Sequence, residues 1–268
     1  MVINQIPFKE GPVETMAERL FQTMNAMDPQ WQAKVKPATQ NQIHALQQTA
    51  GIQQYGRSIP FAYLQFLETM GQNDNGLLAQ EWDGGIEANI DSIIEDYAYY
   101  IDLYEIDRSE YLLFCTNWTE SALFLKLATG ENPPVYHCGK LFAGSFEKYL
   151  FQMAFRKMER TRFSYEIDFS SSSKAFADFL SQMSTPEALC TKPIERIEQM
   201  LKPYRLQKAW FSDEVHFLGV SSEYIMRVDL DWALNIIVSS DQFSVLQKMK
   251  KSLNELFREI ANWSDQCM

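Results

Sequence analysis

The chain has 268 residues, 46% of them apolar and 13% aromatic, with 22% charged side chains and few glycines or prolines. That composition excludes a disordered or fibrous chain and leaves room for one large domain or two ordinary ones. A net charge of −11 argues against nucleic acid and anionic membrane as partners.

The first residues lack a basic segment followed by an apolar one, so no secretory signal is expected. No run of about 18 apolar residues predicts a membrane span. The four cysteines, Cys115, Cys138, Cys190 and Cys267, are far apart, which fits reduced thiols in a cytoplasmic protein better than a disulfide framework. Without an export signal, the glycosylation sequons at Asn117 and Asn262 read as chance matches.

Gly11-Pro12 introduces a helix with Met16, Leu20, Met24 and Met27 on one side, ending at Asp28-Pro29. Thr39 and Gln42 form a capping-box pattern ahead of a stripe of Ile43, Leu46 and Ala50, and Gly51 stops that helix. Pro60 opens the next, with Tyr63, Phe66, Leu67 and Met70 at helical spacing. Gly71 closes it and a polar turn, Asn73 to Gly76, follows. Leu77 to Trp82 reads as a short strand and Asp83-Gly84-Gly85 as a turn. Ile90, Ile93, Ile94 and Tyr97 mark a helix whose other face is acidic. Tyr111 to Thr116, Ala122 to Leu127 and Val135 to Cys138 read as strands. Ser145 caps a helix through Phe146, Tyr149, Leu150 and Met153, with a basic tail suited to its negative end.

A domain boundary is expected near residues 158–172, giving domains 1–160 and 161–268. Phe163 to Phe169 alternates like a strand. Short helices are predicted at Phe176 to Met183 and Ile194 to Leu201. Four strands follow, at Gln207–Ser212, Val215–Ser221, Tyr224–Leu230 and Leu234–Ser239. A long helix, Phe243 to Trp263, completes an α+β unit.

The order of elements in the first domain is distinctive. It comprises the stripe ending at Gly51-Ile52, the Ile59-Pro60 start with Tyr63, Phe66 and Leu67, the Gly/Asn-rich turn, three strands, and a closing helix with Ser145, Phe146, Tyr149 and Leu150. Over about residues 38–155 the chain resembles the SUKH superfamily, which includes fungal cell-wall-synthesis regulators and bacterial toxin-immunity proteins. The resemblance implies an α+β domain, a mostly antiparallel sheet packed by helices, followed here by a second small α+β domain that it does not cover. It also implies a non-enzymatic binding role. In the bacterial members the partner is a polymorphic toxin, often a nuclease.

Residues 81–110 hold ten acids against a single base, Arg108. A docking patch for a basic toxin surface is one reading, with Asp74, Trp82, Asp83, Glu87, Asp91, Glu95, Asp96 and Tyr99 as partner-binding residues. Tyr100 and Tyr104 are further candidate anchors. A solvated helix face with core aromatics is the competing reading.

Other chemistry is sparse. His137 and Cys138 are neighbours on a strand and point to opposite faces, so they do not make a dyad. Asp229 and Asp231 share a strand face, but no third metal ligand is apparent, and an exposed strand edge is the simpler expectation. Phosphate-loop and zinc-site spacings are absent. The lysines at 248, 250 and 251 read as a solvated face. No cofactor and no metal are expected. A homodimer is compatible with the sequence. An intracellular regulatory scaffold, and an enzyme with an unrecognised site, remain the other functional classes.

Overall fold

The structure, a computed structural model, describes residues 8–78, 86–117, 121–137, 139–170, 193–230 and 234–266. The chain is α+β and divides into two compact units at Lys157/Met158, within the helix that runs from Phe146 to Arg162.

In the first unit, α1 (Met16–Met27) buries Met16, Leu20 and Met24, the stripe expected of its spacing. A single turn, α2 (Trp31–Lys34), follows. The capping box of α3 (Gln40–Ala50) forms as predicted. The Gln42 N–H donates to Thr39 Oγ1 at 3.3 Å, and the Thr39 N–H donates to Gln42 Oε1 at 2.8 Å. Two otherwise orphaned amides are thereby satisfied. Gly51 ends the helix with φ of 66°, a conformation that glycine adopts without steric penalty.

α4 (Phe61–Met70) buries Tyr63, Phe66, Leu67 and Met70. Burying each such side chain contributes roughly 1.5–3 kcal/mol. Tyr63 and Phe66 pack edge-on against Phe146, and Tyr63 and Phe146 against Phe114. Gly71 ends α4 in a right-handed conformation, so close to the helix that a Cβ would lie 2.7 Å from Leu67 Cα. Close approach, not a left-handed turn, is what requires glycine here.

Five strands form one antiparallel sheet in the order β1-β2-β3-β4-β5. They are β1 (Ile86–Glu87), β2 (Tyr111–Asn117), β3 (Ala122–Lys126), β4 (Val135–His137) and β5 (Lys140–Ala143). Leu112 to Thr116 and Ala122 to Leu125 are buried on both faces. Between β1 and β2 runs α5 (Ile90–Leu103). After β5, α6 (Phe146–Arg162) starts at Ser145, whose Oγ accepts the Lys148 N–H at 3.2 Å. Residues 77 and 78 lie in a turn, not a strand, and the remainder of the predicted Leu77–Trp82 strand and the Asp83–Gly85 turn lie outside the described residues.

Helix α1 is tied in by a buried ion pair. Arg19 bonds Glu147 on α6 and also donates to the carbonyls of Lys9, Gly11 and Pro12. Glu147 in turn accepts from Asn132 Nδ2 at 3.1 Å. The N-terminal segment is therefore part of the first unit's core.

The second unit has its own five-stranded antiparallel sheet, ordered β6-β10-β9-β8-β7. Its strands are β6 (Tyr165–Ser170), β7 (Gln207–Lys208), β8 (His216–Val220), β9 (Ile225–Asp229) and β10 (Asn235–Ser240). Two helices, α7 (Pro193–Leu201) and α8 (Phe243–Gln266), cover one face. Ile194, Ile197, Leu246, Met249 and Leu253 from these helices pack with Phe217, Met226, Val228, Ile236 and Val238 from the strands. The Phe176–Met183 helix lies outside the described residues.

The opposite face of this sheet carries buried charge. Arg227 Nε donates to Glu159 Oε2 at 2.9 Å, and its other nitrogen bonds Asp229. Burial pushes the Glu159 carboxyl up, although Arg227 pulls the other way. His216 lies between Asp213 Oδ1 at 3.4 Å and Asp229 Oδ1 at 3.9 Å. Asp229 is only 4% exposed and β9 is an interior strand. The expected exposed strand edge at Asp229 is thus corrected: its charge is paired with Arg227 inside the unit.

Candidate partner-binding surface

The acidic segment gains definition from the geometry of α5. Its inward side buries Ile90, Ile93, Tyr97, Tyr100 and Ile101. At 100° per residue, Asp91, Glu95, Ala98, Tyr99, Asp102 and Leu103 fall on the opposite side, and all six are exposed. Asp96 sits at the margin of that face, half-buried. Within it Tyr99 is 51% exposed and Leu103 45%. Two large apolar side chains therefore stand among acids on one helical stripe.

The helix is anchored from both ends. At its start Asn89 Oδ1 accepts the Asp91 N–H at 2.9 Å. Asp91 is held by Gln42 Nε2, which lies 2.8 Å from both carboxylate oxygens. At its end Tyr104 packs edge-on against Phe124 with ring centroids 5.8 Å apart. Tyr100 is buried, so the anchor role expected of it is corrected, while Tyr104 packs on Phe124 and stays half-buried. Of the three, Tyr99 is the most exposed.

The charge placement at the C-terminal end is unusual. A helix C-terminus carries partial negative charge and favours Lys or Arg. The last turn of α5 holds Asp102 and no base. Glu105 follows in a left-handed conformation, φ 50°, and Asp107 is exposed. Asp107 is held below the usual carboxylate range by Ser109, whose Oγ and N–H both donate to it. Arg108, the base of the segment, lies over the Tyr97 ring at 5.9 Å.

Asp74 stands apart from this face. Its two oxygens accept the N–H groups of Gly76 and Leu78, both at 2.9 Å. Burial raises its carboxyl above the ordinary value, against the pull of these amides and of Lys157. Lys157 Nζ donates to the carbonyls of Asn75 and Gly76. Asn75 and Gly76 are consecutive left-handed residues. Asp74 and Lys157 together hold that turn. Glu87 belongs to β1, while Trp82 and Asp83 lie outside the described residues.

Residues 37–154 match the model of the SMI1 / KNR4 family (SUKH-1). This region of the chain is a SUKH domain. No curated protein and no solved structure matches the chain. The SUKH domain thus holds α3 to β5, the start of α6 and the whole acidic face. Helix α1 with Arg19, and the second unit, lie outside the match.

His137 is part of the packed interior of the SUKH domain. It is buried and packs edge-on against Phe142 at 6.0 Å, and Cys138 lies outside the described residues. Among the described residues no cluster of three or more His, Cys, Asp or Glu is arranged to hold a metal ion. Among them, too, no helix is long and apolar enough to cross a membrane. Asp102 and Leu103 extend the candidate surface beyond the residues chosen from sequence. Their helical phase relative to Asp91 and Glu95 is the signal that finds them.

Proposed function

We propose that the chain is a binding protein of the immunity type, which neutralises a protein toxin by covering a basic surface of it with the outer face of α5. The SUKH domain supports the broad class, immunity or regulatory protein. The observation that carries the particular reading is the exposure of Tyr99 and Leu103 among Asp91, Glu95 and Asp102. Interfaces commonly pair an aromatic anchor with a charged surround. Complementary charge speeds encounter and rejects wrong partners. A nuclease, whose substrate channel is basic, is a fitting partner.

Action by binding rather than catalysis follows from the same chemistry. Acids on an open helix face, without a cleft or convergent titratable groups, are poorly placed to move protons on a substrate. They are well placed to meet lysine and arginine.

The test is coexpression with basic toxins encoded beside the gene. Protection is expected from the native chain and is expected to fail when Asp91, Glu95 and Asp96 are all changed to Lys, with the circular dichroism spectrum intact. Full protection by that variant would remove α5 from the interface. Failure of the native chain to protect against any neighbouring toxin would overturn the immunity reading.

A further inference from the structure

The second unit has a groove of about 440 Å³ between α7 and the edge strand β7. Leu201, Leu206 and Phe217 supply its apolar surface, and Lys202, Arg205 and Lys208 stand at its rim. Gly219 shapes it: a Cβ there would lie 2.9 Å from Leu206 Cβ and from Phe217 Cε1. Only glycine lets Leu206 settle this close to β8.

Among the described residues, strand β7 leaves one backbone edge open beside the groove. Among the described residues it pairs with β8 alone, with Gln207 opposite Val220 and Lys208 opposite Gly219. The Ala209 N–H donates to the Leu218 carbonyl at 2.8 Å. Antiparallel bonding alternates along a strand, so Gln207 also faces β8 while the Lys208 N–H and C=O turn outward. An outward pair of this kind is a template for another strand.

The rim favours an anion. Lys208 is bound by Glu198, and Glu195 is the other acid present. Lys202 and Arg205 have no side-chain hydrogen bond or ion pair among the described residues. Arg205 is also held at φ 52°, ψ 40°. Left-handed non-glycine residues are strained and concentrate at ligand clamps.

We infer that this groove binds an extended peptide segment, which adds a strand to β7 and presents a carboxylate to Lys202 and Arg205. A groove between a helix and a sheet edge suits such augmentation: backbone bonds supply affinity and side-chain pockets supply selectivity. The carboxylate is an acidic side chain of that segment. The surface is separate from α5, and its test does not depend on the toxin reading.

The experiment selects random hexapeptides with free C-termini on the full chain. Selected sequences are then synthesised and measured by fluorescence anisotropy. Binders are expected to carry an acidic side chain, and affinity is expected to fall about tenfold or more in Arg205→Glu, as for loss of a charge-assisted bond. Lys208→Pro removes the outward N–H without touching the bonds to β8, and is expected to weaken binding similarly. Lys208→Ala keeps the N–H, so it is expected to weaken binding less than Lys208→Pro does. Loss on Glu→Gln in the peptide supports a side-chain carboxylate, and loss on C-terminal amidation alone overturns it. Circular dichroism confirms folding of each variant. If no peptide is selected, or if selected peptides bind Lys208→Pro and Arg205→Glu as they bind the native chain, the proposal is overturned.

Discussion

Carboxylates do opposite work in the two units. On α5 Glu95 and Asp102 stand in water and Asp91 is exposed while bound to Gln42, with no base in the helix's last turn. In the second unit Glu159, Asp213 and Asp229 are buried beside Arg227 and His216. A buried charge must be compensated where it sits, because the desolvation cost is high. An exposed one is already solvated by water and stays available to a partner. The location of each acid therefore separates the chain's structural charges from its candidate functional ones.

That contrast is broken most forcefully at Arg227. Changing Arg227 to Ala leaves Glu159 and Asp229 buried without their cation, and the expected loss is about 3–5 kcal/mol. Urea unfolding measures it. A loss under about 1 kcal/mol would mean that water already reaches the cluster, and the distinction between the units would fail.

Asp74 tests the contrast inside the SUKH domain. It belongs to the acid-rich part of the sequence, yet its oxygens hold the amides of Gly76 and Leu78. Asp74→Ala is expected to cost about 1–3 kcal/mol, from two part-buried amides left without this acceptor. Asp74→Asn should recover part of this, because one carbonyl oxygen remains. An unfolding midpoint unchanged in Asp74→Ala would return the residue to the surface class.

Elements with a repeating local pattern were legible in the sequence. The Thr39/Gln42 box, the Tyr63–Met70 stripe and the inner strands were all predicted, because capping and periodicity are written in neighbouring residues. The edge strands β1 and β5 were not, since two to four residues carry no period and their pairing depends on a partner elsewhere. The pattern at Gln207 to Ser212 predicts a full strand, but the strand spans only Gln207–Lys208, with one further bond from Ala209 to Leu218. The burial of Asp229 is hidden in the sequence for a similar reason: Arg227's second partner, Glu159, lies 68 residues away in the chain. On α5 the acidity was plain from composition. Which tyrosine reaches water was not, because adjacent Tyr99 and Tyr100 differ only by 100° of helical phase.

The pH dependence of stability separates the two classes again. Burial raises the Glu159 carboxyl above its ordinary 4.5. The folded chain then binds more protons than the unfolded one between 4.5 and the raised value, so stability falls as pH rises through that window. Glu159→Gln is expected to lessen the fall, seen as the difference between native and variant in urea midpoints across the window. Taking the difference cancels Asp74, whose raised carboxyl contributes with the same sign. Asp28 and Asp107 are held low by hydrogen bonds, so their contributions are lost only as pH falls below 3.8. Identical profiles for native and variant would place Glu159 with the solvated acids.

The smallest expected effect is the sharpest in sign. Asp102 occupies the last turn of α5, where a negative charge faces the helix's own negative end. Asp102→Lys should therefore stabilise the SUKH domain, by about 0.3–1 kcal/mol at low salt, and the gain should shrink as salt is added. If α5 is the toxin-facing surface, the same change should weaken protection in the coexpression assay. A substitution that strengthens the fold while impairing the function identifies a residue kept for its partner and not for the helix. Destabilisation by Asp102→Lys would instead show that the carboxylate supports α5, and the exposed acids would lose their claim to a separate role.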